Sequence, residues 1–149
     1  MKRILTITSL LAFGGAATFA AGGQKHHVAA FSGATTTTTN PSNTDFTLGA
    51  AYEFRTSSLL GIGPVADFVF ASKFAALFMG GMFFHPAGDL KLVAAPGIKF
   101  QGGLSAFVMR FGVGYDFHSG PLIFTPTFNI DLISGDAALV WGIAIGTGF

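Results

Sequence analysis

Apolar and polar residues alternate along most of the chain with a period of two. In the clearest stretch, Ser105 to Phe117, bulky side chains such as Phe107 and Phe111 occupy odd positions, and small or charged residues such as Arg110 occupy even ones. A helix would scatter these groups around its circumference, whereas a strand places them on two opposite faces. The pattern therefore predicts a β-strand with one large apolar face and one small, partly charged face.

Seven further segments carry the same signal, which makes eight in all. Five of them alternate clearly, at 46–55, 60–70, 90–99, 122–131 and 139–149. Two are weaker, because His27–Gly33 is short and Phe74–Phe84 is apolar on both faces, so the registers of these two strands stay open. Most segments have ten or more residues, and a tilted membrane-spanning strand needs ~9–11.

The composition favours a surface that faces lipid. Half of the residues are hydrophobic, only 10% are charged, and the mean hydropathy is +0.60, whereas about 25% of a typical soluble domain is charged. The longest apolar run, Phe68 to Phe84, is interrupted by Lys73 and falls short of the ~20 residues that a spanning helix needs. Strands, not helices, are therefore expected to cross the membrane. In the alternative, a soluble β-sandwich, the bulky faces would form the core.

These observations predict an all-β fold, an eight-stranded antiparallel transmembrane β-barrel with both termini at the periplasmic rim. Closure is required because an open sheet edge in lipid leaves backbone groups unpaired. Tight turns are expected at Thr56–Ser58, Pro86–Gly88 and His118–Gly120, and a longer loop from about Ala34 to Thr44. Prolines 64, 96 and 126 lie within predicted strands, where β-bulges would accommodate them.

The first 20 residues have the pattern of a cleaved secretory signal peptide. Lys2 and Arg3 precede the apolar stretch Ile4–Phe13, and small residues stand before a cut after residue 20. The short apolar core argues against the alternative, a retained membrane anchor. We therefore expect export through the periplasm, with 21–149 forming the barrel domain.

Cysteine is absent, which excludes disulfides and thiolate metal sites. The net charge of +1 indicates no basic patch for nucleic acid, and no cofactor is expected.

Charged residues on the small-residue faces should point into the lumen. They are Glu53, Arg55, Asp67, Lys91, Lys99, Arg110, Asp116 and Asp131. The interior of an eight-stranded barrel is just large enough for side chains to fill, and buried charges need partners. Pairing across the lumen in a structural network is therefore favoured over the alternative, an ion or solute path. The many small lumen residues either make room for the Arg and Lys side chains or leave a narrow, partly apolar cavity for a small hydrophobic ligand.

Candidate catalytic and metal-binding residues form no convincing group. His118 and Ser119 are neighbours that would point to opposite faces, in a predicted turn, whereas a nucleophile needs its base within hydrogen-bond reach. His85 lies at a strand end, and His26 and His27 indicate a weak metal site or, more simply, a solvated segment. No catalytic or metal-ligating residue is predicted.

The C-terminal segment resembles the last strand of bacterial outer-membrane barrel proteins. In that family this strand ends on an aromatic residue, usually Phe, after alternating apolar positions. The matching residues are Trp141, Ile143, Ile145 and Phe149, while Thr147 departs from the pattern. The resemblance implies that the barrel assembly machinery reads this strand, and that outer-membrane lipid surrounds the folded protein.

The resemblance to small porin-like barrels implies a Gram-negative cell-envelope protein that is structural or passes small solutes, and not an enzyme. The alternatives are a lipid-modifying barrel enzyme and a barrel that binds a small hydrophobic ligand. An aromatic girdle is expected near the periplasmic rim. Its members would be Tyr52, Phe54, Phe84, Tyr115, Phe117, Phe124 and Phe149. The oligomeric state stays open.

Overall fold

The computed structural model describes residues 23–39 and 41–149, so the expected signal peptide lies outside the described residues. The strands are β1 (His26–Thr37), β2 (Thr44–Arg55), β3 (Leu60–Phe70), β4 (Ala75–Ala87), β5 (Leu90–Gln101), β6 (Leu104–Tyr115), β7 (Phe117–Ser119), β8 (Leu122–Ile133) and β9 (Asp136–Gly148). Within the described ranges, no helix is long and apolar enough to cross a membrane.

The strands form one closed antiparallel sheet. Neighbours in sequence pair with each other, β9 pairs with β1, and β6 and β7 both pair with β8. Because β6 and β7 continue each other in the same register against β8, they form one spanning strand interrupted at Asp116. The structure is thus an eight-stranded antiparallel barrel without a free edge, which confirms the fold predicted from the sequence.

The alternation of side chains follows the predicted faces. In β6, Phe107 and Phe111 are 63% and 48% exposed on the outside, whereas Val108 and Arg110 are 0% and 5% exposed inside. The bulky face therefore points outward and the small, charged face lines the lumen, as a barrel in lipid requires.

The sequence left two registers open, those of β1 and β4. In β1, Val28 faces outward and Thr35 faces the lumen.

The register of β4 places its odd positions in the lumen. Leu77, Met79 and His85 are buried in the lumen, whereas Phe78 and Met82 are half-exposed on the outside. Apolar residues on both faces hid this register, because alternation is visible only where the two faces differ.

The predicted loop from Ala34 to Thr44 is wrong in its first part, since β1 continues to Thr37 and the connection spans only 38–43. Threonine is β-branched and suits strands. Here the hydroxyl groups of Thr35 on β1 and Thr47 on β2 are hydrogen-bonded at 2.7 Å. This contact supports the β1–β2 ladder where it continues through the threonine run.

Two predicted turns begin later than expected. Pro86 and Ala87 still belong to β4, after an irregularity in the ladder between Phe84 and Ala87, and only 88–89 connect to β5. His118 and Ser119 form part of β7, which leaves 120–121 as the turn. The turn predicted at Thr56–Ser58 lies in the connection 56–59.

The three strand prolines cause gaps in the ladder instead of the expected bulges. Pro64 lies at a gap in the β2–β3 ladder, and Pro96 at a gap in the β4–β5 ladder. Pro126 lies opposite the break between β6 and β7. The register on either side of each gap is unchanged, because proline removes one donor without inserting a residue.

Two rims follow from this topology. The connections 56–59, 88–89 and 120–121 lie at the end where β1 begins and β9 ends, here called the terminal rim. The connections 38–43, 71–74, 102–103 and 134–135 lie at the opposite end, the far rim. The connections are short at both rims.

Candidate functional site: the charged lumen

All eight predicted lumen charges lie on inward-facing positions of the barrel wall. Seven of them form two groups of ion pairs. The rim cluster consists of Glu53, Arg55, Lys91 and Asp116, together with His85. The mid-barrel clamp consists of Asp67, Arg110 and Asp131.

Glu53 is the centre of the rim cluster. Its carboxylate, 3% exposed, accepts hydrogen bonds from His85 Nε2 at 2.7 Å and Arg55 Nε at 3.3 Å. Lys91 Nζ lies 3.5 Å from its other oxygen. Burial of this carboxylate would be costly without partners, and three donors from three strands supply them.

Asp116 closes the rim cluster from the opposite side of the barrel. It occupies the break between β6 and β7, is 3% exposed, and accepts a hydrogen bond from Thr125 Oγ1 at 2.6 Å. Lys91 Nζ lies 3.5 Å and Arg55 Nη2 lies 4.0 Å from its oxygens. Since β2 and β6–β7 are four strands apart in a ring of eight, Lys91 bridges carboxylates from opposite walls.

The mid-barrel clamp crosses the lumen in the same way. Arg110, midway along β6, donates from Nε and Nη2 to the two oxygens of Asp131 at 2.6 and 2.7 Å. Its Nη1 donates to Asp67 on β3, which lies opposite β8 in the ring. Charge-assisted, bidentate bonds of this kind are strong and fix the orientation of the guanidinium.

Glycines make room for the acidic groups of both clusters. A Cβ on Gly49 would collide with the carboxylate of Asp67, and one on Gly61 would collide with that of Glu53. The expectation had been that small residues accommodate Arg and Lys. In the structure they leave space for carboxylates, because the side chain of each acid lies against a glycine of the neighbouring strand.

Lys99 is the one predicted lumen charge outside both groups. It is half-buried on β5 toward the far rim, and no ion pair joins it to any residue in 23–39 or 41–149. The fold thus brings seven of the eight predicted lumen charges into ion pairs. That these charges form a structural network and not a solute path stays a prediction.

His85 is the lumen residue that the sequence interpretation missed. It is 2% exposed, and its Nδ1 has no hydrogen-bond partner among the described residues. It was missed because the sequence left the register of β4 open. His85 faces the lumen only if the odd positions of that strand face inward.

The remaining histidines do not converge on a metal. His26 and His27 point to opposite faces of β1, where Tyr52 Oη lies 2.6 Å from His26 Nδ1 and His27 Nε2 donates to the carbonyl of Gln24 at 3.1 Å. In the described part of the chain, no three His, Asp or Glu side chains could hold an ion together. His118 is exposed and lies 3.2 Å from Asp89 at the terminal rim.

The predicted assembly signal faces outward. Trp141, Ile143 and Ile145 on β9, and Phe149 directly after it, are 41–56% exposed on the outer side of the barrel. Phe149 exchanges two backbone hydrogen bonds with His26, and their rings stack at 5.4 Å. The last residue therefore lies on the seam where β1 and β9 close the barrel.

The expected girdle residues gather near the terminal rim. Tyr115 and Phe117 pack at a ring distance of 5.0 Å, and His26 joins Tyr52 and Phe54 at 6.1 and 5.2 Å. Half-exposed rings at this level suit a boundary between hydrocarbon and water.

Comparison with known proteins agrees on the fold. No protein-family model and no curated protein sequence matches the chain. Several solved structures match the chain. The Neisserial surface protein A, NspA, has a TM-score of 0.62 at 11% identity, covering 84% of this chain and 97% of its own.

Two further structures match similarly. The N-terminal β-barrel domain of Pseudomonas aeruginosa OprF has a TM-score of 0.65 at 10% identity, covering 86% of this chain and 100% of its own. The attachment invasion locus protein Ail of Yersinia pestis has a TM-score of 0.59 at 10% identity, covering 85% and 99%. The chain therefore has the fold of the small eight-stranded outer-membrane β-barrels.

Proposed function

We propose that this protein is a bacterial outer-membrane protein whose barrel is structural and whose lumen is held closed to ions by salt bridges. The observation that carries this proposal is the mid-barrel clamp. Arg110 joins Asp131 to Asp67 on the opposite wall, and these side chains are 5%, 1% and 2% exposed.

The outer surface supports membrane insertion. Large apolar side chains project from every long strand, for example Phe46, Phe78, Phe107, Phe128 and Trp141, each 45–63% exposed. A soluble protein rarely exposes so much contiguous apolar area. In a bilayer the same face would be the hydrocarbon-contacting band of a barrel.

Closure to ions follows from the lumen geometry. Lys91 bridges Glu53 and Asp116 near the terminal rim, and Arg110 bridges a second pair of opposite walls. An ion crossing the lumen would have to separate charges that are already neutralised at short distance. The narrow solute passage considered from the sequence would require both groups to open.

Two measurements, made one after the other, test the proposal. Outer-membrane fractionation with electrophoresis of boiled and unboiled samples should give a membrane protein whose mobility changes on heating. The refolded protein in a planar bilayer should then give no steady conductance steps. A soluble periplasmic protein would contradict the membrane assignment, whereas regular steps from the wild type would contradict the closed lumen alone.

The expectation that the protein is not an enzyme stays a prediction. Incubating the purified barrel with phospholipid and lipopolysaccharide, followed by analysis of released or transferred acyl chains, tests it directly. Acyl transfer or hydrolysis above that of a boiled control would favour the lipid-modifying alternative.

A further inference from the structure

Six phenylalanine rings form one connected surface on the outside of the barrel, toward the far rim. Successive ring centroids lie 5.7–6.3 Å apart, and the rings belong to β2, β3, β4, β5 and the connection between β3 and β4. In the order of their contacts they are Phe46, Phe70, Phe74, Phe68, Phe78 and Phe100. This surface is here called the phenylalanine face.

The connection between β3 and β4 is fixed against this face and against the next hairpin. The ring of Phe74 stacks on Phe68 at 6.2 Å. Gln101 Nε2 donates a hydrogen bond to the carbonyl of Lys73 at 2.8 Å. The Lys73 side chain passes beside Gly102, since its Cδ would lie 3.8 Å from a Cβ added there. The exposed side chain of Lys73 is therefore held at the rim, directly next to the rings.

Positive charge gathers at this side of the far rim. Lys73 precedes β4, and Lys99 lies on the inner side of β5, one residue before Phe100. Within 23–39 and 41–149, neither lysine takes part in an ion pair. Of the acids at this rim, Asp45 occupies an inward-facing position of β2, and the exposed Asp136 begins β9, which is opposite β4 in the ring. The outer edge of the phenylalanine face thus carries an unneutralised cation.

An apolar surface with a cation at its edge matches the structure of an anionic lipid. Acyl chains pack against the rings through many small dispersion contacts. A headgroup with a net negative charge is attracted to a lysine at the membrane surface, which favours it roughly fivefold. A zwitterionic lipid would make the same apolar contacts without this net attraction.

We propose that the phenylalanine face, with Lys73 at its edge, binds a membrane lipid whose phosphate headgroup carries a net negative charge. This inference rests on the proposed insertion into a membrane. It goes beyond that proposal because it assigns a preferred lipid to one side of the barrel, and it holds whether or not the lumen conducts ions.

Quenching of tryptophan fluorescence by brominated lipid tests the proposal. Trp141 is the one tryptophan of the chain and is 49% exposed on β9. The double variant Phe78→Trp, Trp141→Phe moves this reporter to the phenylalanine face, where residue 78 is 51% exposed on β4. Because β4 and β9 are opposite in the ring of eight, the two reporters sample opposite outer walls.

The refolded barrels are placed in vesicles that mix phosphatidylglycerol with phosphatidylcholine, with either lipid brominated. Bromine quenches a tryptophan in contact with its chain, so the dependence of fluorescence on composition gives the relative affinity of the two lipids at each reporter. We expect phosphatidylglycerol to be favoured roughly three- to tenfold at residue 78, and the two lipids to bind equally at Trp141.

Two further variants, made in the residue-78 reporter, locate the headgroup. Lys73→Gln should remove most of the preference. Lys25→Gln should leave it unchanged, because Lys25 is exposed at the terminal rim and likewise has no ion pair among the described residues.

The proposal is overturned if residue 78 shows no lipid preference, if Lys73→Gln retains the full preference, or if Trp141 shows the same preference. Weaker quenching at residue 78 than at Trp141 by both lipids would also overturn it, since a protein such as a second copy of the chain would then cover the face. Failure of the proposed membrane insertion is distinguishable, because neither reporter would then be quenched by any brominated lipid.

Discussion

Asp67 and Asp131 lie on opposite walls of the barrel, and one guanidinium, that of Arg110, hydrogen-bonds to both. Their strands, β3 and β8, are four positions apart in the ring of eight, so the bridge spans the lumen. Two like charges are brought together in a buried site only because the arginine separates and neutralises them.

Replacing Arg110 should therefore destabilise the barrel strongly. Arg110→Met leaves two buried carboxylates without a cation, and we expect the free energy of unfolding to fall by about 3–5 kcal/mol. Urea titration followed by the heat-dependent mobility shift measures it. The triple variant with Asp67→Asn and Asp131→Asn should recover much of the loss. If Arg110→Met unfolds at the wild-type urea concentration, the clamp does not stabilise the fold.

Removing the buried charge of Glu53 should destabilise the barrel more than breaking the exposed ion pair of Asp89 and His118. Glu53→Gln removes the charge that binds His85, Arg55 and Lys91, and should cost about 2–3 kcal/mol, since bonds to charged groups are worth about 1.5–3 each. Asp89→Asn breaks the exposed contact with His118 and should cost less than about 1 kcal/mol. Equal effects in urea titrations of the two variants would contradict this assignment.

The position of Asp67 should depend on the absence of a side chain at Gly49. Gly49→Ala places a methyl group against the Asp67 carboxylate and should destabilise the barrel by about 1–3 kcal/mol. Gly80→Ala, on the outside of β4, is the matched control because its Cβ meets no atom within 4 Å. Differential scanning calorimetry of the two variants in detergent should rank them in that order.

Phe149 should matter for assembly in cells more than for the stability of the refolded barrel. Phe149→Ala removes both the expected terminal signal and the stacking on His26, whereas His26→Ala removes the stacking and the contact with Tyr52 but keeps the signal. We expect the first variant to accumulate less in the outer membrane, and both to unfold at similar urea concentrations after refolding in vitro. Similar accumulation of both variants in cells would argue against the signal.

Sequence reasoning located the charges, but not their partners. The alternation around Arg110 showed that its side chain belongs with the small-residue face, and the same held for Glu53 and Asp116. Which acid meets which base depends on closure, since Asp67 and Arg110 are 43 residues apart and lie on strands that are not neighbours. His85 escaped prediction because both faces of β4 are apolar.

By itself, the sequence determined the closed all-β architecture, the faces of six of the eight spanning strands and the identity of the eight lumen charges. Each of these follows from a local pattern of period two, which a strand converts directly into inside and outside. Tertiary structure alone decided the registers of β1 and β4, the extension of β1 through the threonines and the division of the charges into the rim cluster and the mid-barrel clamp. The registers and the extension of β1 depend on which strands pair with each other, and the two groups of charges depend on contacts across the lumen, which exist only once the sheet has closed.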